Sequence, residues 1–277
     1  MVLNLDSSFK PLLLQEIEFE TFTFSGGEPH VKLNTNSIEG ETAWVTHRIT
    51  TFNDLGLLFV ACDALRRAGI QSLNLFLPYF PGARQDRVMV SGEPLTAKVY
   101  ADLINQLHFK QVVIFDPHSE VVPALLNNCV VLNNYEFINW VYEQIPASTL
   151  LVAPDGGSLK KIYGLSAFLN KYSVVECRKH RNSETGKIDG FTAFTDDLNR
   201  QPCLIVDDIC DGGATFIGIA KTLKEKNAGD LYLAVSHGIF SKGLNELQTY
   251  FKNIFTTNSF PQKENSFVST FNLAMTN

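Results

Sequence analysis

The sequence predicts an α/β protein built mainly of parallel sheet, and three observations carry that prediction. Short apolar runs recur along the chain, each ending in a polar or charged residue. Runs of this length without alternation suit strands covered on both faces. Stretches with helical spacing fall between them, and strand–helix alternation is the α/β pattern. Finally, 45% of the 277 residues are apolar and 19% are charged, which permits a buried core and argues against a disordered chain.

The elements follow in chain order. A strand over 43–46 runs into His47, and a helix over 54–68 stops before Gly69. A strand over 73–77 ends at Pro78, and a helix over 96–107 follows Pro94. Strands over 112–115 and 129–132 come next, the first running into Asp116. An aromatic-rich helix covers 135–144. Further strands cover 150–153 before Pro154 and Asp155, 173–175 before Glu176, and 203–206 before Asp207 and Asp208. A helix over 216–226 ends at Asn227, Ala228 and Gly229, a C-cap sequence. The last strand, 231–236, runs into His237. No Pro-rich or Gly/Ser-rich linker divides the chain. Two α/β halves are expected, 1–140 and 141–277, meeting within 133–146. From Thr256 onward the chain is polar with no helical pattern, and partial mobility is expected there.

Charge and composition exclude several classes. The net charge is −6 with a pI near 5.5, so nothing draws the whole molecule to nucleic-acid phosphates. The longest apolar stretch, 55–62, falls far short of the ~20 residues that span a bilayer. The short apolar run at 12–14 is too brief for a secretory core. Five cysteines (62, 129, 177, 203, 210) form no C-x-x-C pair. A reduced, cytoplasmic protein without structural zinc is the economical reading.

In open parallel sheets, ligands bind beyond the carboxyl ends of the strands. Here those ends carry Asp116, His118, Asp155, Asp207, Asp208 and His237. The most specific segment is CLIVDDICDGGAT at 203–215. An apolar strand runs into two carboxylates, then a glycine-containing loop, then a helix. A helix N-terminus presents free N–H groups to an anion, and Gly212 and Gly213 allow close backbone approach. Two acids facing a phosphate would repel it, so they suit sugar hydroxyls or a metal. The combination reads as a sugar-phosphate site.

A second segment, PYFPGARQDR at 78–87 followed by EPLTAK at 93–98, offers Arg84 and Arg87 as planar forks for phosphate oxygens. Gln85 lies between them as a neutral donor and acceptor. Alone this string is as readily a solvated loop. The densest cationic stretch is ECRKHR at 176–181, and charge runs are usually solvated too. TGKI at 185–188 fails the Walker A pattern, because position 181 is Arg and Ile188 replaces Ser or Thr.

Segment 203–215 resembles the phosphoribosyl-pyrophosphate motif of type I phosphoribosyltransferases and of ribose-phosphate pyrophosphokinases. Segments 78–87 and 93–98 resemble the signature of the ribose-phosphate pyrophosphokinase family, which plain phosphoribosyltransferases lack. Further likenesses are FSGGE at 24–28, FDPH at 115–118, APDGG at 153–157 and SHGIFS at 236–241. Departures are Gly26 for the usual Asp, Cys210 for an aliphatic residue, and Gly212 for the usual Thr.

The resemblance implies two phosphoribosyltransferase-like domains, each a mainly parallel sheet flanked by helices. It implies transfer of the β,γ-diphosphoryl group of Mg²⁺–ATP to O1 of ribose 5-phosphate. Phe24, Glu28, Arg84, Gln85, Arg87 and His118 would hold ATP. Asp207 and Asp208 would hold the ribose hydroxyls, and Asp211, Gly212, Gly213, Ala214 and Thr215 the 5-phosphate. Asp155, Gly156 and Gly157 would form the diphosphate loop. Mg²⁺ would sit near His118, Asp155 and Asp116. Lys179 and Arg181, on a flexible loop, would stabilise the transferred group. The resemblance also implies a homodimer or larger homo-oligomer, with Phe24 and Glu28 reaching a neighbour's ATP. The segment 88–93 lacks the basic residues that border the family's allosteric phosphate and ADP site. Two other readings stay open. A phosphoribosyltransferase of nucleotide salvage leaves 78–98 unexplained. A non-catalytic regulatory homologue draws on Gly26 and Gly212, and stands against the retained Lys179, Arg181, Asp207 and Asp208.

Overall fold

The computed structural model describes residues 1–171, 173–181, 188–262 and 265–275, apart from the side chains of Arg181 and Ile188. The chain divides into two compact units, Met1–Asn133 with the segment from Asn272 onward, and Asn134–Phe271.

The first unit begins with β1 (Val2–Asn4), the antiparallel hairpin β2 (Phe19–Thr23) and β3 (Pro29–Leu33), and β4 (Thr42–Thr46). Helix α1 (Phe52–Arg67) precedes β5 (Ser72–Leu77); α2 (Thr96–Asn105), β6 (Gln111–Phe115), α3 (Val121–Leu125) and β7 (Cys129–Leu132) complete the unit. A five-stranded sheet runs β1-β4-β5-β6-β7, and every pairing in it is parallel. Alternate residues of β5 and β6 face opposite ways. Leu75, Leu77, Val112 and Ile114 join the main core with α1 and α2, while Phe76 packs against Phe9 at 5.7 Å. Helix α1 starts on a reciprocal cap: Thr51 Oγ1 accepts the Asp54 N–H, and Asp54 Oδ2 accepts the Thr51 N–H. It ends before Gly69, whose φ of +97° closes the turn.

The second unit contains α4 (Tyr135–Tyr142), β8 (Leu150–Ala153), α5 (Leu159–Phe168), β9 (Val174–Arg181), β10 (Ile188–Ala193), β11 (Cys203–Cys210), α6 (Ala214–Glu225), β12 (Leu231–Gly238), β13 (Asn253–Thr257) and β14 (Val268–Phe271). Its sheet runs β10-β9-β8-β11-β12-β13-β14. All pairings are parallel except that of β10 with β9. The central strands serve two cores. Cys203, Ile205, Leu231 and Leu233 face one; Leu204, Val206, Tyr232 and Ala234 face the other. That double burial is why these strands read as unbroken apolar runs.

Several expectations shift. The units part before α4, because Phe137, Ile138 and Val141 of that helix join the second unit's core alongside Phe255. Helix α5 escaped the sequence pattern; it buries only Ile162, Leu165 and Ser166. The stretch after Thr256 is not structureless, since β14 adds a parallel edge strand to β13. The basic stretch 176–181 lies in β9, paired with β10, instead of in a loop.

Among the described residues no helix is long and apolar enough to cross a membrane. All five cysteines are free thiols. Burial pushes Cys62 and Cys177 up to about 12, and Cys129 and Cys203 to about 11.

Candidate active site

The residues expected to carry chemistry form three groups. In the first unit, Pro78 to Arg87 follow β5. Phe80 and Ala83 are buried and anchor this loop, so Arg84, Gln85 and Arg87 stand exposed. Its folding is fixed by Gln85 N–H donating to Gly82 O at 2.8 Å and Ala97 N–H donating to Gln85 O at 3.1 Å. Asp86 is the buried member of the string. Its carboxylate accepts Arg87 Nε–H at 2.9 Å and Ser119 Oγ–H at 2.6 Å. The Arg87 guanidinium, helped by the Ser119 hydroxyl and by His118 charge, holds Asp86 below the usual carboxylate range despite burial. Asp86 thereby ties the arginine loop to the loop after β6. In that loop His118 is exposed, whereas Asp116 is buried and takes a φ of +38°. Left-handed backbone at a non-glycine residue concentrates at functional edges.

The second group is the tip of the β2–β3 hairpin. Phe24 N–H donates to Glu28 O at 2.9 Å, and Gly27 turns the corner with φ +99°. Phe24 is 54% exposed and packs edge-on to Phe22 at 4.9 Å, with His30 5.6 Å away. Phe22 and His30 were not singled out from the sequence. Gly26 leaves space that the Glu28 carboxylate fills, with an oxygen 2.6 Å from where a Cβ would stand.

The third group lies at the carboxyl edge of the second sheet. Strand β11 continues through Asp207 and Asp208 because β12 stays paired with it as far as Cys210 and Gly238. The two aspartates are therefore strand residues rather than loop residues. Asp208 N–H donates to Asp207 Oδ1 at 3.0 Å. Burial, then the Asp208 charge, raise Asp207 well above the usual carboxylate range, and Asp155 adds to the rise. The chain then turns through Asp211 and Gly212 to Gly213, whose φ of +80° starts α6 with no side-chain cap on the helix N-terminus. The loop after β12 folds over this turn. Ile239 N–H donates to Cys210 O at 2.8 Å, and Ser241 Oγ–H to Asp211 Oδ1 at 2.5 Å.

After β8, Asp155 Oδ1 accepts the N–H groups of Gly157 and Ser158 at 3.0 and 3.2 Å. Gly157 N–H is thus used within its own loop. Asp155 Oδ2 pairs with Lys179 Nζ at 3.1 Å, and both side chains are mostly buried. Position 181 closes β9, but its side chain and residues 182–187 lie outside the described residues. His237, a metal-capable residue by type, is buried with Nδ1 2.8 Å from Ser259 Oγ.

Residues 10–107 match the model of the N-terminal domain of ribose phosphate pyrophosphokinase. The chain is 31% identical over 255 residues to a ribose-phosphate pyrophosphokinase of Mycoplasma pneumoniae, covering 86% of this chain and 75% of that one. It is 30% identical over 235 residues to the Bradyrhizobium diazoefficiens protein of the same name, covering 79% and 70%. The chain belongs to the ribose-phosphate pyrophosphokinase family. A phosphoribosylpyrophosphate synthetase from Mycobacterium smegmatis shares the fold, with a TM-score of 0.83 over 98% of this chain and 93% of that one at 22% identity. The architecture is accordingly the two-domain phosphoribosyltransferase-like one, and the ribose-phosphate pyrophosphokinase family is a family of enzymes. Within that family the arginine loop of the first unit and the paired aspartates of the second were legible as motifs. Asp86 and Ser241 lie within quoted motifs but had no role assigned from the sequence, and Ser119, which holds Asp86, lies outside every motif.

Proposed function

We propose that this enzyme transfers the β,γ-diphosphoryl group of Mg²⁺–ATP to O1 of ribose 5-phosphate. The O1–Pβ bond forms, the bond from Pβ to the α,β-bridging oxygen breaks, AMP leaves, and the O1 proton passes to solvent. The observation that carries the reading is one sheet edge in the second unit. There an aspartate pair leads into an uncapped helix start, and Lys179 is drawn to the same edge by Asp155.

Asp207 and Asp208 hold the ribose hydroxyls, and Asp211 to Thr215 hold the 5-phosphate with backbone N–H groups. Arg84, Gln85, Arg87 and His118 hold ATP, with Phe24 and Glu28 contributed by a neighbouring subunit of a homodimer or larger assembly. Lys179 and Arg181 meet negative charge on the transferred group, which is the main demand of this chemistry.

Among the described residues no three metal donors converge. Mg²⁺ needs few protein ligands when it arrives on phosphates, and the candidates to meet a metal carried by ATP are Asp155 in the second unit and, separately, His118 and Asp116 in the first. Bound Mg²⁺ would neutralise phosphate charge and polarise the reacting phosphorus. Asp207, whose proton affinity is raised by burial and then by its acidic neighbours, has the electrostatics of a group that a cation would relieve. A role in nucleotide biosynthesis follows from the product.

The test is direct. Incubation with ribose 5-phosphate, Mg²⁺ and ATP should give AMP and a 1-diphosphorylated sugar by phosphorus NMR. ADP as the nucleotide product would mean single phosphoryl transfer and sink the proposal. No turnover despite measurable ATP binding would favour a non-catalytic homologue.

A further inference from the structure

Gly212 lies in the turn between β11 and α6 and brings no side chain to it. The space beside it is not empty. The side chain of Lys242, from the loop after β12, lies along Gly212, with Cδ 3.3 Å and Cε 3.4 Å from where a Cβ would stand. A Cβ at 212 would meet that stem in tight contact. The ammonium is one bond beyond Cε. Lys242 is exposed, and no hydrogen bond or ion pair falls to it among the described residues. Its backbone is held over the turn by the Ser241 Oγ–H to Asp211 Oδ1 bond and by Ser241 N–H donating to Asp211 O at 3.1 Å.

We infer that Lys242 is a specificity-determining residue for the phosphate end of the sugar substrate, supplying a cation to a turn where residue 212 supplies no side chain. The inference rests on the reading of residues 211–215 as the 5-phosphate site. An ammonium on a flexible stem is a compact point charge that reaches a phosphate without demanding one geometry. Lys242 therefore favours a phosphorylated pentose over the free sugar.

Steady-state kinetics on the full chain test this with Lys242→Met, which keeps a stem of similar length over Gly212 and removes the charge. The KM for ribose 5-phosphate should rise about tenfold or more, as expected for one lost charge-assisted contact. Both kcat and the KM for ATP should change little, and Lys242→Arg should recover most of the loss. An unchanged KM for ribose 5-phosphate in Lys242→Met would overturn the role of Lys242 and leave the site reading intact. Equal loss for both substrates would mark a structural role and overturn it as well. Failure of the parent chain to turn over ribose 5-phosphate would overturn the site reading itself.

Discussion

Two carboxylates, one in each unit, sit in opposite electrostatic circumstances. Asp86 is buried but satisfied: a guanidinium and a hydroxyl hold its charge, and its proton affinity falls. Asp207 is buried and crowded by Asp208 and Asp155, and its proton affinity rises. The first arrangement builds a scaffold that presents Arg84 and Arg87. The second gathers acids that resist ionising together. Such a gathering lowers stability, so it suits ligand recognition better than folding.

The largest expected effect tests the ligand edge. Lys179→Ala should lower kcat by about a hundredfold or more, the scale for losing one donor to developing charge, with ATP affinity far less affected. Equal losses in both would make Lys179 a ground-state anchor. Next, Asp207→Ala with Asp208→Ala should leave a folded protein with sugar affinity reduced by ~1.5–3 kcal/mol per lost charge-assisted bond. Unchanged sugar affinity would end the assignment.

The contrast itself is read from stability against pH. Asp207 binds its proton more tightly folded than unfolded, so its contribution is full below the unfolded value near 3.8 and is lost as pH rises through the elevated folded value. Asp207→Asn should therefore raise Tm at pH 7 without ligand, the gap closing toward pH 3. Asp86 has the opposite sign. Its contribution is present above the unfolded value near 3.8 and is lost as pH falls through the lowered folded value. Asp86→Asn should lower stability at pH 7 by ~1–3 kcal/mol, with a smaller difference in acid. Thermal melts of both variants that moved the same way at pH 7 would break the comparison.

The smallest effect concerns regulation. Residues 88–93 carry no cation, and the Glu93 carboxylate already takes the Met89 and Val90 N–H groups at 3.0 and 3.2 Å. An anionic effector meets little to hold it there. Activity should depend weakly on free phosphate, and ADP inhibition at saturating ATP should follow a hyperbola. A sigmoidal curve would contradict this.

The parallel strands were legible because burial on both faces writes an unbroken apolar run, as at 150–153 and 231–236. The ends of β9 and β11 were not, because their last residues are charged and read as loop. Only pairing with β10 and β12 makes them strand. Helix α5 hid for the converse reason, with too narrow an apolar stripe to stand out. Among the candidate residues, Arg84 in the first unit, and Lys179 and the Asp207–Asp208 pair in the second, were visible as residue types in sequence. Their restraints were not: Ser119 beneath Asp86 and Lys242 beside Gly212 come from distant segments that only folding brings together.

The buried thiols give each unit its own clock. Cys62 belongs to the first unit and Cys177 and Cys203 to the second, and their elevated values leave almost no thiolate at neutral pH. Alkylation must then wait for the surrounding structure to open. Pulse labelling with a maleimide, read peptide by peptide, would time the opening of the two units separately in a single sample. Ribose 5-phosphate added to that sample should slow the Cys177 and Cys203 clock and leave that of Cys62 running at its own rate.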